Sequence, residues 1–371
     1  MNNSTTRRGF FKTTAASLMA SGIAGRYQSQ GKSTMEVKVQ RLNLTHTWTI
    51  SRNSSDFKDN VFVRLTRDGI TGWGEAAPNV RYGESAQETV SKLEAARSAI
   101  ESANWLHYTD LKARIDELIT DESCAKAALD IAVLDWVGKK FNQPLFRIFG
   151  LDPARTPVTT FSIGIDTPDV VRQKVKEAAA FPVLKIKVGL KNDQEMLETV
   201  RSVTDKPLRV DANEGWKTKE EALEKIRWLE GLGVELIEQP LPSAMLEETR
   251  WLRERVNMPI LADEAVKTTR DIPALSSAFD GINVKLMKSG GPQEALTMIK
   301  MARALGMKIM LGCMIESSVA IAAAAQISPL VDYADLDGNL LISNDPFKGS
   351  TVEKGKIVLP SGPGLGVEPV A

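Results

Sequence analysis

The chain has 371 residues, and its 47 Lys and Arg residues balance its 47 Asp and Glu residues, so the formal net charge is zero. This balance provides no general electrostatic attraction to nucleic acid, and we expect no nucleic-acid partner. With only two cysteines and two histidines, the chain has no disulfide framework, no Cys-rich zinc module and little scope for a multi-His metal site. Any chemistry therefore rests mainly on Lys, Asp, Glu and metals that prefer oxygen ligands.

The first 34 residues have the composition of a targeting segment. Arg7 and Arg8 precede two phenylalanines and a lysine, and a short run of small and apolar residues follows at 13–25. This order resembles a twin-arginine export signal, although a basic tail with a chance pattern is the alternative. The run is shorter than the about 20 apolar residues that a membrane span needs. We therefore predict that residues 1–34 are a signal peptide and linker, and that the mature protein is periplasmic and not membrane-bound.

Residues 35–150 are predicted to form an α+β domain with strands first and helices after them. Alternating apolar residues indicate the strands, and Asp68-Gly69 is a typical hairpin turn. Apolar residues at helical spacing indicate the helices. The predicted strands are 35–44, 61–65 and 71–75, and the predicted helices are 85–102, 108–119 and 122–140.

Residues 155–340 alternate between short apolar runs and longer amphipathic segments. Eight such runs, each followed by a helical pattern or a loop, predict a parallel (β/α)₈ barrel, since strands buried on both faces are apolar throughout. Residues 341–371 return to short extended pieces, and we predict that this tail packs back on the N-terminal domain. The predicted strands are 159–165, 183–188, 208–212, 234–239, 260–263, 282–287, 308–315 and 333–337, and the clearest helices are 168–180, 219–231, 244–255 and 292–305.

Acidic residues end three consecutive predicted strands, namely Asp211, Glu238 and Asp263. Side chains at the carboxyl ends of barrel strands point into one shared mouth, and neighbouring strands lie about 4.8 Å apart. Three converging carboxylates repel one another unless a divalent cation lies among them, and ligation by oxygen alone suits Mg²⁺. We therefore predict one Mg²⁺ per subunit at these residues; the alternative is a ring of ion pairs with neighbouring lysines.

Lysines occupy two strand ends that face each other across the predicted barrel. Lys185 and Lys187 alternate along one strand, so both side chains face the same way, and adjacent ammonium groups lower each other's pKa. Lys285 lies four strands further on, so two lysines can flank a bound substrate. One side can then lose a proton while the other gains one, which is racemisation or epimerisation next to a carboxylate. Position alone does not decide between Lys285 and Lys288, and an anion-binding pair is the alternative for Lys185 and Lys187.

These strand ends resemble those of the enolase superfamily, in its muconate-lactonising-enzyme subgroup, and within that subgroup the dipeptide epimerases. The likeness runs from about residue 35 to residue 371, and its combination of two alternating lysines, three acids and one further lysine is specific for the subgroup. The matching barrel segments are 185–187 (KIK), 211–213 (DAN), 237–240 (IEQP), 262–264 (ADE), 283–288 (NVKLMK), 290–291 (GG) and 312–316 (GCMIE), and the matching N-terminal segments are 81–85 (RYGES) and 128–132 (ALDIA).

The resemblance implies roles for the residues at the barrel mouth. Sites of this superfamily are known to use a Lys or His base together with Mg²⁺. By this resemblance the three acids hold Mg²⁺, and Lys187 and Lys285 are the two acid–base catalysts. Lys185 assists the substrate carboxylate and favours the neutral form of its neighbour. The N-terminal domain is implied to cap the barrel, and a homo-oligomer is possible by analogy with relatives.

A pair of acids at the end of the eighth predicted strand narrows the range of expected substrates. Asp335 and Asp337 resemble a pair of acids that, in dipeptide epimerases, binds the ammonium group of the first amino acid. Two carboxylates away from the metal need a cationic partner, although a simple turn is the alternative because Gly338 follows. The resemblance also places four further residues against the substrate: Thr160, Cys313, Met314 and Ile315.

The preferred dipeptide depends on the capping-domain loop predicted at 49–60. An epimerase of L-Ala-D/L-Glu needs a cation for the glutamate side chain, usually an arginine in this loop. The loop offers Arg52 and Lys58, and we take Arg52 as the predicted substrate-binding residue.

Together these features predict a Mg²⁺-dependent dipeptide epimerase that acts at the α-carbon of the C-terminal residue. L-Ala-D-Glu to L-Ala-L-Glu, in peptidoglycan metabolism, is the expected reaction, because peptidoglycan fragments lie outside the inner membrane, where an exported protein meets them. Alternatives are another dipeptide specificity, an N-acylamino acid racemase or an o-succinylbenzoate synthase. A third class is a non-catalytic exported binding protein on the same scaffold.

Overall fold

The N-terminal part of the chain forms a three-stranded antiparallel sheet with helices packed against it. The computed structural model describes residues 33–370, so the predicted export signal lies outside the described residues except for its last two positions. Asp68 and Gly69 have φ values of 55° and 74°, which form the predicted two-residue turn between the second and third strands. The elements are β1 (Thr34–Thr49), β2 (Ser54–Arg67), β3 (Ile70–Ala76), α1 (Ala86–Ser102), α2 (Tyr108–Leu118), α3 (Ser123–Lys140) and α4 (Leu145–Ile148).

The β1–β2 hairpin extends further than the sequence predicts. Residues 49–60 are predicted as a loop, but β1 and β2 pair as far as Thr49 and Ser54, which leaves only residues 50–53 between them. β3 pairs with β2 only from Val61 onward, so the outer half of the hairpin is a two-stranded ribbon. A ribbon without a third strand buries little apolar surface, and its sequence therefore lacks the alternating pattern of a strand. We call the part of the hairpin on the turn side of the Gln40–Asn60 pair, residues 41–49 of β1 and 54–59 of β2, the outer ribbon.

Helix α3 lies directly on the sheet because β3 carries glycine at its contact points. A Cβ atom built at Gly74 would lie 2.0 Å from the carbonyl oxygen of Ala128, and one at Gly72 would lie 2.2 Å from that of Ala132. Any side chain at either glycine would push the helix away. The close approach lets α3 bury an apolar stripe against the sheet, as the sequence predicts.

The second part of the chain is an eight-stranded parallel sheet that closes into a barrel. Its strands follow chain order from β4 to β11, and each predicted barrel strand is present. The first and last strands meet through the Thr159–Ala334 bridge and a bond of 3.2 Å from the Thr160 amide to the Ala334 carbonyl. The strands are β4 (Phe161–Ile163), β5 (Leu184–Lys187), β6 (Leu208–Asp211), β7 (Val234–Glu238), β8 (Ile260–Ala262), β9 (Gly281–Lys285), β10 (Lys308–Gly312) and β11 (Tyr333–Asp335).

Helices connect the barrel strands and cover the outside of the barrel. The run predicted as a strand at 282–287 ends at Lys285, and a helical turn begins at Leu286. Leu286 and Met287 are buried, and a short apolar run does not distinguish a strand from a buried helical turn. The helices are α5 (Pro168–Glu177), α6 (Asp193–Arg201), α7 (Lys219–Glu230), α8 (Leu246–Arg253), α9 (Ile272–Leu275), α10 (Leu286–Ser289), α11 (Pro292–Ala304) and α12 (Ser318–Ala325).

The C-terminal segment returns to the N-terminal sheet and to α3, as predicted. Leu44 of β1 bridges to Ile342, and the amide of Leu365 donates to Asp135 Oδ1 of α3 at 2.8 Å. Its short strands are β12 (Phe347–Lys348), β13 (Thr351–Glu353), β14 (Lys356–Val358) and β15 (Glu368–Pro369). Among residues 33–370, no helix combines the length and apolar character needed to cross a bilayer.

A buried carboxylate joins the capping sheet to the barrel mouth. Glu75, near the end of β3, accepts hydrogen bonds from the Ser317 amide (2.8 Å) and hydroxyl (2.6 Å) and from the Ala320 amide (3.1 Å) at the start of α12. Asn60 donates both to Glu75 (2.8 Å) and to the carbonyl of Ile315 (3.0 Å). These bonds place the outer ribbon over the loop that follows β10.

Candidate active site

The three predicted acids meet at the carboxyl ends of neighbouring strands. Asp211 ends β6, Glu238 ends β7 and Asp263 directly follows β8. Their ligand oxygens lie within 4.8 Å of one another, and all three side chains are buried. Burial and the nearby charge of Asp211 raise the pKa of Glu238 to about 8. A buried set of oxygen donors that repel one another fits a divalent cation such as Mg²⁺.

The loops that follow β6 and β7 hold these acids in place. Asn213, Glu214 and Gln239 have positive φ values of 44°, 64° and 35°, a backbone conformation that is rare outside glycine. The side-chain oxygen of Gln239 accepts from the amides of Asp263 (3.0 Å) and Ala265 (3.1 Å). The end of β7 is therefore bonded directly to the segment after β8 that carries Asp263, so two of the acids are positioned together.

Two lysines approach the acids from opposite sides of the barrel. Lys187 ends β5 and Lys285 ends β9, four strands apart in a closed sheet of eight, and both line one cavity of about 310 Å³. Lys187 Nζ lies 2.6 Å from Asp211 Oδ2, and Lys285 Nζ lies 2.8 Å from Asp263 Oδ2. Burial works against the charge of Lys285, but Asp263 and other nearby acids outweigh it and raise its pKa above the usual value. The cavity thus has an amine on each side of the acid cluster.

Lys185 is buried, is absent from the cavity lining and is surrounded by acids. Its Nζ is 2.6 Å from Asp335, 2.8 Å from Glu238 and 3.2 Å from Asp211. Burial disfavours its charge, yet these three carboxylates raise its pKa well above the usual value. Acids from three other strands therefore outweigh the one neighbouring ammonium group and set the net direction of the pKa of Lys185.

Lys285 and Lys288 take different places, which the sequence alone leaves open. Lys288 Nζ is fully buried and bonds to Asp263 Oδ1 (2.5 Å), to the Asp263 carbonyl (2.5 Å) and to the Asn283 carbonyl (3.0 Å). It does not line the cavity, whereas Lys285 does. Lys288 therefore anchors the chain around Asp263, and Lys285 is the lysine that faces the cavity.

The two acids of the eighth strand have different surroundings. Asp335 forms an ion pair with Lys185 and accepts a hydrogen bond from the Thr160 hydroxyl at 2.5 Å. Its carboxyl group is buried, but the positive charges of Lys185 and Lys187 lower its pKa. Asp337 accepts from the Ser162 amide at 2.6 Å and has no ion pair among residues 33–370. Burial and the charge of Asp335 raise the pKa of Asp337 to about 7. Asp337 is thus the member of the pair that a cationic ligand would stabilise.

We expect kcat/KM for an ammonium-bearing substrate to fall as the pH drops through about 7. Asp337 has a raised pKa, so it is an anion above about pH 7 and neutral below it, and only the anion can pair with an ammonium group. Asp337→Asn is expected to lower kcat/KM at pH 8 by about 10- to 100-fold, as for a lost charged hydrogen bond. The measurement is the pH profile of kcat/KM for both proteins. An unchanged acidic limb in Asp337→Asn would contradict the assignment.

The residues predicted to contact substrate fall into two groups. Cys313, Met314, Ile315 and Arg52 line the cavity. Thr160 is fully buried behind Asp335 and is absent from the lining, where Ser162 takes its place. Thr160 and Ser162 are two residues apart, so both side chains point into the barrel. Only Ser162, which lies nearer the carboxyl end of the strand, reaches the mouth.

Arg52 is bound to the acids of the barrel mouth. Its guanidinium lies 2.7 Å from Glu264 Oε1 and 3.3 Å from Glu214 Oε2, and it donates to the Asn213 carbonyl at 2.7 Å. Arg81 binds Glu214 as well, at 2.8 and 2.9 Å. Both arginines therefore join the capping domain to the barrel.

The capping domain also supplies cavity residues that the sequence does not indicate. Trp48 of the outer ribbon lines the cavity, with its ring centroid 5.9 Å from Lys187 Nζ, and Tyr82 lines the opposite side near Lys285. Glu264 lines it beside Asp263. Tyr82 lies within the 81–85 segment that carries the resemblance, although the resemblance gives it no role. No sequence signal marks Trp48, because docking of the cap brings it to the mouth.

The fold and the site define a capped barrel enzyme that performs acid–base chemistry beside an all-oxygen metal site. Comparisons with known proteins agree. Residues 34–150 match the mandelate racemase / muconate lactonizing enzyme N-terminal domain, and residues 169–371 match the enolase C-terminal domain-like family. The chain therefore belongs to the mandelate racemase/muconate lactonizing enzyme family of the enolase superfamily.

Several relatives of this chain are named as epimerases. An L-Ala-D/L-Glu epimerase from Bacteroides thetaiotaomicron is 44% identical, over 97% of this chain and 98% of the relative. The structure of a dipeptide epimerase from Enterococcus faecalis with Mg and L-Leu-L-Tyr superposes with a TM-score of 0.85 at 31% identity, covering 90% of this chain and 99% of that one. A substrate complex of the Bacillus subtilis L-Ala-D/L-Glu epimerase gives the same TM-score and identity, covering 91% and 98%.

Proposed function

We propose that this chain is a Mg²⁺-dependent dipeptide epimerase that inverts the α-carbon of the C-terminal residue, with L-Ala-D-Glu and L-Ala-L-Glu as its substrate pair. The observation that carries the proposal is the position of Lys187 and Lys285 on opposite sides of one cavity, next to three buried carboxylates. The epimerases among its relatives support the reaction class, and the Bacteroides relative supports the dipeptide.

The acids and the lysines have different roles in the proposed reaction. Asp211, Glu238 and Asp263 would hold Mg²⁺, which when bound stabilises the negative charge that develops on the substrate carboxylate. One of Lys187 and Lys285, as the neutral amine, takes the α-proton from its side of the α-carbon. The other, as ammonium, gives a proton to the opposite side, and the configuration inverts. The reverse reaction exchanges the two roles, and solvent exchange resets the lysines.

The remaining cavity residues bind and orient the dipeptide. Asp337 accepts a hydrogen bond from the ammonium group of the first residue. Lys185 and Thr160 hold Asp335 next to Asp337. Met314 and Ile315 contact the apolar part of the substrate, and Trp48 covers the side of Lys187. The outer ribbon closes the mouth and limits access of bulk water to the carbanionic substrate.

Deuterium exchange tests the proposed reaction. The protein without residues 1–34, supplied with Mg²⁺ in D₂O, is expected to gain one deuterium at the α-carbon of the C-terminal residue in L-Ala-D-Glu and in L-Ala-L-Glu. NMR locates the deuterium, and mass spectrometry extends the assay to a dipeptide library. N-acylamino acids serve as the comparison, because they lack the ammonium group that Asp337 needs. Absence of exchange with every dipeptide would overturn the proposal.

We propose in addition that the protein acts in the periplasm on peptidoglycan fragments. The support is the order of residues at the N-terminus, where Arg7 and Arg8 precede apolar and small residues. Replacing both arginines with lysine is expected to leave the full-length protein in the cytoplasm, measured by cell fractionation with marker enzymes for both compartments. Unchanged periplasmic recovery of that variant would contradict a twin-arginine route.

A further inference from the structure

Asn283 is a buried polar residue of the barrel interior that takes no part in the proposed proton transfer. It lies on β9, two residues before Lys285, so both side chains point into the barrel. Asn283 is completely shielded from solvent, whereas Lys285 lines the cavity. The side chain of Asn283 therefore lies below the site, in a part of the barrel that bulky branched residues usually fill.

The amide of Asn283 binds the middle one of the three clustered acids. Its Nδ2 donates to Glu238 Oε1 at 2.8 Å, although β8 lies between their strands in the sheet. The opposite orientation of the amide would place its oxygen against the carboxylate, and neither group could then donate. The contact therefore requires the amide of Asn283 as a donor, and it fixes one of the two carboxylate oxygens of Glu238.

The neighbouring strand leaves room for this amide and little more. A Cβ atom built at Gly312 on β10 would lie 2.6 Å from Asn283 Oδ1 and 2.8 Å from its Nδ2, so any side chain at Gly312 would displace the amide. Lys288 Nζ also donates to the carbonyl of Asn283 at 3.0 Å and fixes the backbone there. Asn283 is thus confined, with its donor directed at Glu238.

Burial leaves the other half of the amide without a partner. Asn283 Oδ1 is buried and has no hydrogen-bond partner among residues 33–370. Buried polar atoms in proteins almost always have a partner, and an apolar side chain of similar shape would avoid the unpaired oxygen. Packing alone therefore does not explain an asparagine at this position, whereas the bond to Glu238 does.

The two groups that hold Glu238 differ in charge. Lys185 Nζ lies 2.8 Å from Glu238 Oε2, and Asn283 donates to Oε1. A divalent cation among the acids would repel the ammonium group of Lys185 but not a neutral amide. Carboxylates that bind metals are commonly oriented by such outer hydrogen bonds. Asn283 is therefore the donor that is compatible with a bound metal.

We propose that Asn283 is a positioning residue that orients Glu238 for Mg²⁺ binding. The inference rests on the metal site of the proposed function and adds a residue that supports it. Asn283 does not line the cavity, so its effect reaches the reaction only through the metal site.

Metal titration of matched variants tests this role. Asn283→Leu removes the donor at similar side-chain size, and we expect the Kd for Mg²⁺, measured by isothermal titration calorimetry, to rise about 10- to 100-fold. Gly312→Ala keeps Asn283 but displaces its amide, and the Kd should rise in the same direction. Met310→Leu is the control, because Met310 pairs with Asn283 across the strands but packs against Leu236 and Leu261. Its Kd should equal that of the unaltered protein.

A second measurement separates metal binding from a general loss of structure. The deuterium-exchange rate of Asn283→Leu should be low at limiting Mg²⁺ and should recover most of the loss at saturating Mg²⁺, with the KM for the dipeptide unchanged. Circular dichroism without Mg²⁺ shows whether each variant is folded. Asn283→Ala, which adds no volume, is the second variant and should show the same rise in Kd if Asn283→Leu does not fold.

The outcomes distinguish this inference from the proposed function. An unchanged Kd for Mg²⁺ in a folded variant of Asn283 overturns the role of Asn283. An equal rise of the Kd in Met310→Leu overturns it as well, because any change in the barrel interior would then have this effect. Absence of Mg²⁺ binding by the unaltered protein overturns the metal site of the proposed function instead.

Discussion

Replacing either Lys187 or Lys285 with alanine is expected to reduce epimerisation by about 10²- to 10⁴-fold, the usual contribution of a general acid or base. Each lysine faces the cavity from its own side, and the two lie on strands four apart in the closed barrel, so neither can take over the task of the other. Inversion needs proton removal on one side of the α-carbon and proton delivery on the other. Loss of one lysine therefore slows inversion to a similar extent whichever epimer is supplied.

Exchange without inversion distinguishes the two lysines. A variant that lacks one lysine keeps the other, so it should still exchange the α-proton of the single epimer whose proton faces the remaining amine. NMR in D₂O, started separately from L-Ala-D-Glu and L-Ala-L-Glu, measures this for each variant. Lys308→Ala, an exposed lysine at the opposite end of β10, is the control and should behave as the unaltered protein does. Rapid exchange of both epimers by Lys187→Ala would contradict the two-sided site.

Neutralising one of the three clustered acids is expected to weaken metal binding and to slow catalysis together. The ligand oxygens of Asp211, Glu238 and Asp263 lie within 4.8 Å of one another and are buried, so they form a single site. Glu238→Gln is expected to weaken Mg²⁺ binding, measured by isothermal titration calorimetry. It should also slow exchange by about 10³-fold, because a Lewis acid contributes several kcal/mol to such a reaction. Removal of metal with a chelator should have the same effect and be reversed by added Mg²⁺.

A neighbouring acid on the same strand provides the matched control. Glu235 lies near the start of β7, whereas Glu238 ends it, and the Glu235 side chain is exposed and pairs with Arg209 at 3.2 Å. Glu235→Gln should leave Mg²⁺ affinity and exchange unchanged. If Glu238→Gln bound Mg²⁺ as tightly as the unaltered protein does, the three acids would not be the metal site.

Much of the fold and of the acid–base site is readable from the order of residues. Strands buried on both faces appear as uninterrupted apolar runs, so all eight barrel strands are predicted correctly. The carboxyl ends of parallel strands converge, so a residue such as Asp211 or Glu238 that ends its strand is placed at the mouth without any knowledge of packing. The same reasoning sets Lys187 opposite Lys285. These features depend on periodicity and strand order, which are local properties of the chain.

The tertiary structure alone decided how the charged groups pair. Lys185 acquires three acidic partners from β6, β7 and β11, and their summed attraction reverses the pKa change that its lysine neighbour would cause. The outer ribbon looks like a loop in sequence, because its polar residues follow no apolar alternation. Its pairing and its docking on the mouth bind Arg52 to Glu264. Electrostatic partners depend on distances between remote segments, and those distances exist only after the cap has closed on the barrel.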